Sequence, residues 1–554
     1  MRDGNTLFLK GVPQPAWKRL LSGGWALPAC GPIIHLVTWQ PELEELRHRE
    51  ELARQMGGPE RVARQHAAGR LTVRERIDRL VDPGSFEEYG ALAGFAAYED
   101  GQLESFTPAN SVVGTGRIAG RRVVVCGDDF TVRGGAADAA IHQKQVYAER
   151  LASELRLPMV RLVDGTGGGG SVKSYEKTGR TYVPANPGWD VVVDNLGKVP
   201  VVAACLGPVA GLGAARVVSA HFSVMVRDSS QLFVAGPPVV RHGMGREVTK
   251  EDLGGWEIHV RESGAVDNLA ESEDDALAQV ARFLSYLPES VWEQAPRQPC
   301  GDDPLRVEPA LRSTVPRSRR QVYDMRRLVT LVVDRDSFFE LSRGFGGSVI
   351  TALARLDGYP VAIVASDPRI YGGGLTAAAS DKLARFVDFA DTFHLPVVNF
   401  VDQPGFVIGV EAERAGTIRR GARALAAIYQ ARVPWVSILV RKVFGVAGAG
   451  HGNAQALNLR FAWPSGDWGS LPLEGGVQAA YRRDLEAAED PASLEAEITA
   501  RLDALRSPFR TAESFGVEKI IDPADTRPLL AEWVVDAYRV AASDLGPPAR
   551  GPRP

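Results

Sequence analysis

Short apolar runs that end in glycine-rich turns recur along the whole chain. The runs "RVVVCG" and "PVAIVA" are rich in β-branched residues and predict strands, and "PMVRLVD" and "PVVNFVD" predict strands that are buried on both faces. The segments "AADAAIHQKQVYAERLASELR" and "SDKLARFVDFADTFH" carry apolar residues at helical spacing. This alternation of strand, turn and helix predicts an α/β fold with largely parallel strands.

The same pattern occurs twice. "LPMVRLVDGTGGGG" begins at Leu157 and "LPVVNFVDQPG" begins at Leu395, which is an offset of 238 residues. At that offset four more features coincide without a gap: Arg117 with Arg355, Gly120 with Gly358, Asp129 with Asp367, and Gly134-Gly135 with Gly372-Gly373. Further on, "KVPVVAACLGPVAGLG" matches "RVPWVSILVRKVFGVA" at an offset of 234. The chain is therefore predicted to contain two copies of one unit, a period that suits duplicated domains.

The repeat also predicts the domain boundaries. Residues 1–40 precede the first copy and are expected to form a disordered extension. The two copies are assigned to residues 41–295 and 321–554. The segment between them, residues 296–320, is rich in Pro and Arg, lacks periodicity, and is predicted to be a linker.

Composition and cysteine spacing argue against several classes of protein. The 64 basic and 68 acidic side chains give a net charge of -4, which provides no electrostatic footprint for nucleic acid. The four cysteines are scattered without Cys-x-x-Cys spacing, which argues against a zinc ribbon or disulfide scaffold and predicts a cytoplasmic protein. The most apolar run, from Val199, is interrupted by prolines and predicts a buried strand rather than a membrane span.

The glycine turns are the main candidates for chemistry. Backbone N–H groups in such turns can form an oxyanion hole, because glycine adopts positive φ and allows a ligand to approach the backbone. The alternative is that these glycines only permit tight packing of helices on strands. "GTGGGGSVKS" lacks the contiguous Gly-Lys-Ser/Thr of a phosphate loop, and "GLGAAR" has Arg216 where a dinucleotide fingerprint needs a small residue. No Gly-x-Ser-x-Gly elbow is present either, so a site is expected to act through backbone amides.

Several segments resemble the carboxyltransferase (β) subunits of biotin-dependent acyl-CoA carboxylases of the propionyl-CoA and methylcrotonyl-CoA types. The likeness extends over about residues 40 to 540 and is carried by these motifs: "AAGRLTVRERIDRLVDPGSFEEYG" at Ala67, "DDFTVRGG" at Asp128, "FVAGPPVVRHGMGREVTKEDLGG" at Phe233, "SGAVDNLAESEDDALAQVARFLSYLP" at Ser263, "FVDQPGFVIG" at Phe400, "TIRRGARALAAIYQARVP" at Thr417 and "RFAWP" at Arg460. The resemblance implies two tandem crotonase-like (ββα-spiral) domains and a homo-hexameric core.

The resemblance also implies a mechanism. Carboxybiotin on a separate carrier supplies CO2 to an acyl-CoA, and the N–H pair of each domain stabilises one of two enolates. Acyl-CoA is expected on the first domain and biotin on the second, with no metal. Because no lysine lies between methionines as in a biotin carrier, a biotin carboxylase and a biotin carboxyl carrier are expected as partners.

The family motifs carry site residues over to particular positions. In "GPVAGLGAA" the implied N–H donors are Gly211 and Leu212, and in "RKVFGVAGAG" they are Val446 and Ala447. The family has glycine at the positions of Leu212 and Val446. Since a β-branched residue disfavours positive φ, the turn at Val446 is expected to be rebuilt.

The remaining predicted site residues surround these donors. Those on the acyl-CoA side are Gly134, Gly135, Gly167, Gly168, Ala210 and Ala449, the last at the position that helps select acyl length. Those on the biotin side are Gly372, Gly373, Gly405, Phe406 and Gly445. The glycine-rich segment 164–188 replaces a shorter family segment and is either a lid or a tolerated surface insertion.

Two alternative functions stay open. A biotin-dependent decarboxylase or transcarboxylase would use the same oxyanion chemistry in another direction, and only the partner proteins distinguish it. With both turns altered, the chain could also be an inactive scaffold that binds acyl-CoA. A crotonase-like hydratase lacks support, because no pair of acidic residues is evident at the turns.

Overall fold

The strands form two large sheets and one hairpin. They are β1 (Glu87–Tyr89), β2 (Gly94–Glu99), β3 (Gln102–Pro108), β4 (Ser111–Ile118), β5 (Arg121–Asp128), β6 (Met159–Gly165), β7 (Val201–Ala210), β8 (Phe222–Val226), β9 (Gln231–Phe233), β10 (Asn268–Ala270), β11 (Phe339–Leu341), β12 (Val349–Leu356), β13 (Tyr359–Ser366), β14 (Val397–Gln403), β15 (Trp435–Phe444), β16 (Asn458–Ala462), β17 (Asp467–Gly469) and β18 (Lys519–Ile520).

The two large sheets have the same topology. The first has the order β1-β4-β5-β6-β7-β8-β10 with β9 beside β7, and the second has the order β11-β12-β13-β14-β15-β16-β18 with β17 beside β15. In both, the first two pairings are antiparallel and the others are parallel. The predicted α/β class with two duplicated crotonase-like domains is confirmed.

Helices connect these strands. They are α1 (Gln40–Arg54), α2 (Pro59–Ala67), α3 (Val73–Leu80), α4 (His142–Leu155), α5 (Trp189–Asn195), α6 (Leu212–Val218), α7 (Pro237–Met244), α8 (Lys250–Gly254), α9 (Glu273–Leu284), α10 (Met325–Val332), α11 (Ala377–Thr392), α12 (Val410–Arg414), α13 (Thr417–Gln430), α14 (Gly445–Ala449), α15 (Leu473–Ala480), α16 (Arg482–Ala487), α17 (Pro491–Asp503), α18 (Pro508–Glu513) and α19 (Thr526–Ala541). Short 3-10 turns at Arg133–Gly135 and Tyr371–Gly373 occupy equivalent places in the two copies.

The computed structural model describes residues 38–136, 140–165, 176, 179–181, 183, 185–453 and 456–550. The chain divides into a unit Met1–His48, whose described part contains the start of α1, and a compact unit Arg49–Pro554 that contains all the strands. Most of the predicted N-terminal extension lies outside the described residues. The predicted linker contains a 3-10 helix, Pro309–Ser313, and the domain boundaries stay a prediction. In the described part of the chain, no helix is long and apolar enough to cross a membrane.

One hairpin shows how closely the copies agree. The Asp82 carboxylate accepts the N–H groups of Ala119 and Gly120 at 3.0 and 2.7 Å, between β4 and β5. The Asp334 carboxylate accepts those of Asp357 and Gly358 at the same two distances, between β12 and β13. The equivalent segments "DPGSFEE" and "DRDSFFE" therefore form the same local structure, in which the first aspartate accepts hydrogen bonds from a hairpin turn.

The two halves share an apolar core. The ring of Phe222 in β8 lies 4.8 Å from that of Phe283 in α9 and 5.8 Å from that of Phe339 in β11. Phe283 in turn lies 5.5 Å from Phe389 in α11, so aromatic rings from both copies pack together. These residues belong to one cluster of buried side chains, and burial of each ring stabilises the contact by about 1.5–3 kcal/mol.

Polar contacts from α11 hold the loop after β11, and that loop contacts the first copy. Buried Lys382 donates to the carbonyls of Ser342 and Phe345 at 2.8 and 3.1 Å, in the loop after β11. The ring of Phe345 covers Gly264 from the first copy, where a Cβ would lie 2.5 Å from the ring. Burial lowers the pKa of Lys382 from 10.5 to about 7. The ammonium is therefore disfavoured in the folded state at mildly alkaline pH.

We expect the stability of the protein to rise with pH between about 7 and 10 because of Lys382. The pKa of Lys382 is lower in the folded protein than in the unfolded chain, so between these two pKa values the unfolded chain binds more protons. Raising the pH in this range therefore disfavours the unfolded chain and raises the free energy of unfolding. Between pH 7 and 9 the free energy of unfolding should gain about 2 kcal/mol from this group. Lys382→Met should lack this gain, whereas exposed Lys250→Met should keep it, as measured by chemical denaturation at both pH values. Equal pH dependence in wild type and Lys382→Met would contradict this role.

Candidate functional site

The carboxyl end of β6 carries a buried aspartate. Asp164 accepts from Arg76 Nη1 at 2.8 Å and from Gln65 Nε2 at 3.3 Å, and Arg70 Nη1 lies 3.4 Å away. Arg76, on α3, also binds Glu273 at 2.6 Å, so two carboxylates flank one buried guanidinium. Burial raises the pKa of the Asp164 carboxyl, and the two arginines oppose that shift. The ion pairs are thus what allow a charge at this depth.

The second copy has its own buried aspartate at the end of β14. Asp402 pairs with Arg441 of β15 at 2.9 Å and accepts from the Tyr323 hydroxyl at 2.9 Å. Its other oxygen accepts the backbone N–H of Lys442 at 3.0 Å. Burial and the neighbouring carboxylate raise the pKa of Tyr323 well above its ordinary value, so its hydroxyl remains a donor. Asp402 therefore ties the strand end of β14 to that of β15.

The first copy has a glycine at the strand position where the second copy has an arginine. Gly207 of β7 stands at the position of Arg441, and a Cβ there would collide with Asp164 Oδ1 and lie 2.8 Å from Arg70 Nη1. The first copy thus receives its arginines from outside the sheet, and Gly207 leaves the room for them.

Two equivalent turns lead from β7 into α6 and from β15 into α14. Each has a glycine with φ of 62°, Gly211 in the first copy and Gly445 in the second. Helix α6 begins directly after Gly211 and helix α14 begins at Gly445 itself, so the N–H groups of the residues that follow each glycine have no partner within the helix. These N–H groups belong to Leu212 and Gly213 in α6, and to Val446 and Ala447 in α14. Such adjacent donors can bind the oxygen of a carbonyl group.

Gly211 departs from the predicted donor pair. Its N–H donates to the Phe233 carbonyl at 3.1 Å, extending the β7–β9 ladder, and is not available to a ligand. The prediction of Gly211 as a donor is corrected by this bond. The equivalent of the second pair is Leu212 and Gly213, one residue further along.

Val446 is also placed differently from the expectation. The turn is not rebuilt, because the positive φ belongs to Gly445 while Val446 lies inside helix α14. The side chain of Val446 is 65% exposed, whereas Ala447 is buried. Leu212 likewise lies in helix α6 and is half-buried. Both non-glycine residues therefore fit the turn without backbone strain.

The predicted acyl-CoA residues of the first copy are brought together in part. Gly134 and Gly135 form the 3-10 turn after β5, and a Cβ on Gly165 would lie 2.9 Å from the Gly134 carbonyl oxygen. Ala210, half-buried, ends β7 one residue before Gly211. Gly167 and Gly168, like most of segment 164–188, lie outside the described residues. Ala449 is in the second copy, at the end of α14, where its carbonyl accepts from Tyr429 at 3.3 Å.

The predicted biotin-side residues lie close to one another. Leu375, two residues after Gly373, donates its N–H to the Gly405 carbonyl at 3.0 Å, which joins the turn after β13 to the turn after β14. A Cβ on Gly405 would lie 3.9 Å from the Phe444 carbonyl oxygen, next to Gly445. The ring of Phe406 packs against Gly421 of α13, and a Cβ on Gly372 would lie 3.9 Å from Lys442 Nζ.

Sequence reasoning missed two features of the site. The contact of Arg76 with Asp164 joins residues 88 apart and carries no local pattern. Lys442 was also missed, although its signal was present: the first copy reads Gly207-Pro208 where the second reads Arg441-Lys442.

Two clefts lie apart from the turns, where the halves meet. One, of about 580 Å³, contains Arg121 and Arg355, which donate to the carbonyls of Leu284 and Ser285 at the end of α9. The other, of about 710 Å³, contains Lys382 and the Arg385–Asp267 pair. Two of these cations join the halves, since Arg355 donates to the Ser285 carbonyl and Arg385 pairs with Asp267. Within the described ranges, no group of three His, Cys, Asp or Glu residues could hold a metal ion.

Comparison with known families matches residues 64–535 to the family described as "Carboxyl transferase domain". The chain belongs to the carboxyl transferase domain family. This membership confirms the resemblance deduced from the motifs.

Relatives within this family have several activities. The propionyl-CoA carboxylase carboxyltransferase subunit of Haloferax mediterranei is 35% identical over 89% of this chain and 95% of that protein. Methylmalonyl-CoA decarboxylase subunit alpha of Veillonella parvula is 33% identical over 92% of this chain and 97% of that protein. Among solved structures, the transcarboxylase 12S hexamer with methylmalonyl-coenzyme A and methylmalonic acid bound has a TM-score of 0.81 at 31% identity, covering 93% of this chain and 97% of that chain.

We expect Gly445 to be required by the second turn and Val446 to be dispensable. Gly445→Val places a β-branched residue at φ of 62° and should lower the free energy of unfolding by about 1–3 kcal/mol. Val446→Gly should lower it by only about 0.5–1 kcal/mol, the propensity cost in a short helix. Denaturant unfolding measures both. A larger loss for Val446→Gly would mean that the valine side chain supports the turn.

We expect Gly207→Ala to destabilise the first copy. Its methyl group would displace Asp164 or Arg70, and overpacking of this kind costs about 1–3 kcal/mol. Gly301→Ala is the matched control, because a Cβ there meets no atom within 4 Å. Thermal unfolding of the two variants should separate them. Equal midpoints would show that the Asp164 cluster rearranges without loss.

Proposed function

We propose that this protein is the carboxyltransferase subunit of a biotin-dependent enzyme that acts on acyl-CoA. The observation that carries the proposal is the pair of equivalent turns, each a glycine with φ of 62° followed by unpartnered helix N–H groups. Carboxyl transfer between biotin and a thioester needs two carbonyl oxygens to carry negative charge, and the fold offers one donor pair for each. Family membership over residues 64–535 supports the same function.

The first turn is assigned to the acyl-CoA. A Cβ on Gly211 would meet no atom within 4 Å, so a thioester has open space in which to approach. The N–H groups of Leu212 and Gly213 would donate to the thioester oxygen and stabilise the negative charge that develops on it during transfer. Gly134, Gly135, Gly167, Gly168 and Ala210 are proposed to border the acyl-CoA, and Ala449 to limit acyl length.

The second turn is assigned to biotin on a carrier protein. Carboxylated biotin supplies the carboxyl group when it is bound. The residues present suit such a group, because Val446 and Ala447 offer adjacent N–H groups and Lys442 brings an ammonium beside Gly372. Gly373, Gly405, Phe406 and Gly445 are proposed to shape the rest of this pocket.

An assembly of several chains fits the exposed apolar side chains of the two copies. Val234 and Met244, which follow β9, are 96% and 69% exposed, and Ile408 and Val446 in the second copy are 88% and 65% exposed. Exposed apolar groups of this kind mark interaction surfaces. We propose a homo-hexameric core, as in the transcarboxylase 12S structure, which works in the cytoplasm with a biotin carboxylase and a biotin carboxyl carrier.

A second candidate is the reverse or exchange reaction, in a decarboxylase or transcarboxylase. It is favoured by the near-equal identity to the carboxylase subunit and to the decarboxylase subunit, 35% and 33%. The inactive scaffold is disfavoured, because Leu212 and Val446 leave the glycines with φ of 62° in place.

We expect proline in the first turn of either short helix to lower the rate of transfer strongly. Leu212→Pro and Val446→Pro each delete one N–H, and proline is tolerated in the first turn of a helix. Loss of one such donor should lower kcat by about 100- to 1,000-fold. Leu212→Ala and Val446→Ala keep the N–H and should stay close to wild type. The assay is ATP-dependent incorporation of labelled bicarbonate into propionyl-CoA by the complex isolated from its own host.

The same isolate distinguishes the alternatives. A biotinylated partner without incorporation would favour decarboxylation or transcarboxylation, tested next with methylmalonyl-CoA as carboxyl donor. Full activity in both proline variants would contradict the assignment of the turns. Absence of a biotinylated partner would leave only the alternative that the protein is an inactive scaffold that binds acyl-CoA.

A further inference from the structure

The two copies differ in charge at one position beside the turn. Pro208 in β7 and Lys442 in β15 are equivalent, because each lies four residues before the proposed donor Leu212 or Val446. Their strand partners agree, since Pro208 lies opposite Gln231 of β9 and Lys442 opposite Asp467 of β17. The second turn therefore has a cationic side chain where the first has none.

Lys442 is fixed at its backbone and unpaired at its ammonium. Its N–H donates to Asp402 Oδ1 at 3.0 Å, and the residue is half-buried. Its Nζ lies 3.9 Å from the position that a Cβ on Gly372 would occupy, within the group of biotin-side turns. Among the residues that the structure describes, Nζ has no hydrogen-bond or ion-pair partner.

The nearby carboxylates are already neutralised. Asp402 pairs with Arg441 at 2.9 Å, and its remaining oxygen holds the Lys442 N–H. Asp467, the strand partner of Lys442, pairs with Arg506. An ammonium without a carboxylate partner is able to form charge-assisted hydrogen bonds to an anion.

We propose that Lys442 binds the carboxylate carried on the ureido nitrogen of biotin. This inference rests on the proposed function and names the charged residue that would bind the ligand of its second site. A carboxylated ureido group is anionic at its transferable carboxylate, whereas an acyl thioester is neutral at its carbonyl. The cation at Lys442 and the neutral Pro208 thus match the two copies to the two substrates. Lys442 acts by binding and takes part in no covalent step.

The test is equilibrium binding of two stable ligands. One is biotin methyl ester with an oxalyl group on its ureido nitrogen, which ends in a carboxylate. The other carries a neutral acetyl group there. Calorimetry with the wild-type protein should give tighter binding of the oxalyl ligand. Lys442→Met should weaken that ligand by about 10- to 100-fold, as expected for loss of a charged hydrogen bond, and leave the acetyl ligand unchanged.

Two controls accompany these measurements. Lys442→Arg should keep the preference for the oxalyl ligand, and Lys519→Met, which removes an exposed lysine of the same half, should not alter it. Thermal unfolding checks that each variant is folded. If Lys442→Met keeps the preference, or if wild type shows none, the inference about Lys442 is wrong while the proposed function stands. If wild type binds neither ligand but binds propionyl-CoA, the assignment of the second turn to biotin is also wrong.

Discussion

Two buried aspartates, each at the carboxyl end of a central parallel strand, are the constraint on which both turns depend. A carboxylate at such a depth is tolerable only with a cation and hydrogen bonds around it. The chain meets this need in two ways. Asp164 receives Arg76 and Arg70 from outside the sheet, and Gly207 on the neighbouring strand gives them room. Asp402 receives Arg441 from the neighbouring strand itself.

The source of the arginine determines which residue lies next to it at the end of the strand. Where the arginine lies on the strand, as in the second copy, the next residue has its N–H fixed by the same aspartate, and its side chain can project toward the biotin-side turns. That residue is Lys442. Where the arginine comes from α3, the equivalent residue is Pro208, which has no N–H to give. One duplicated fold thus acquires two electrostatically different sites from the way in which a single buried charge is neutralised.

Much of the fold could be predicted because the copies confirm each other. The offset of 238 residues correctly paired Gly120 with Gly358, and both have φ near 80° in equivalent hairpins. The bond from Gly211 to Phe233 could not be foreseen, since β9 has only three residues and no periodicity. The error at Val446 had a different origin. Positive φ was assigned to the residue aligned with a family glycine, whereas the preceding Gly445 adopts it.

The exposure of the turns bears on how backbone amides could catalyse at all. Amide donors stabilise a developing oxyanion strongly only where water is excluded, because in water the solvent competes for the same charge. Val446 is 65% exposed and Gly211 is exposed in the single chain, so each turn is incomplete as a catalytic environment. Exposed apolar side chains of the two copies, such as Ile408 and Val234, would become buried if another subunit covered them. In the proposed hexamer, assembly would therefore supply the low dielectric that the N–H groups need, and subunit association would be part of the catalytic apparatus.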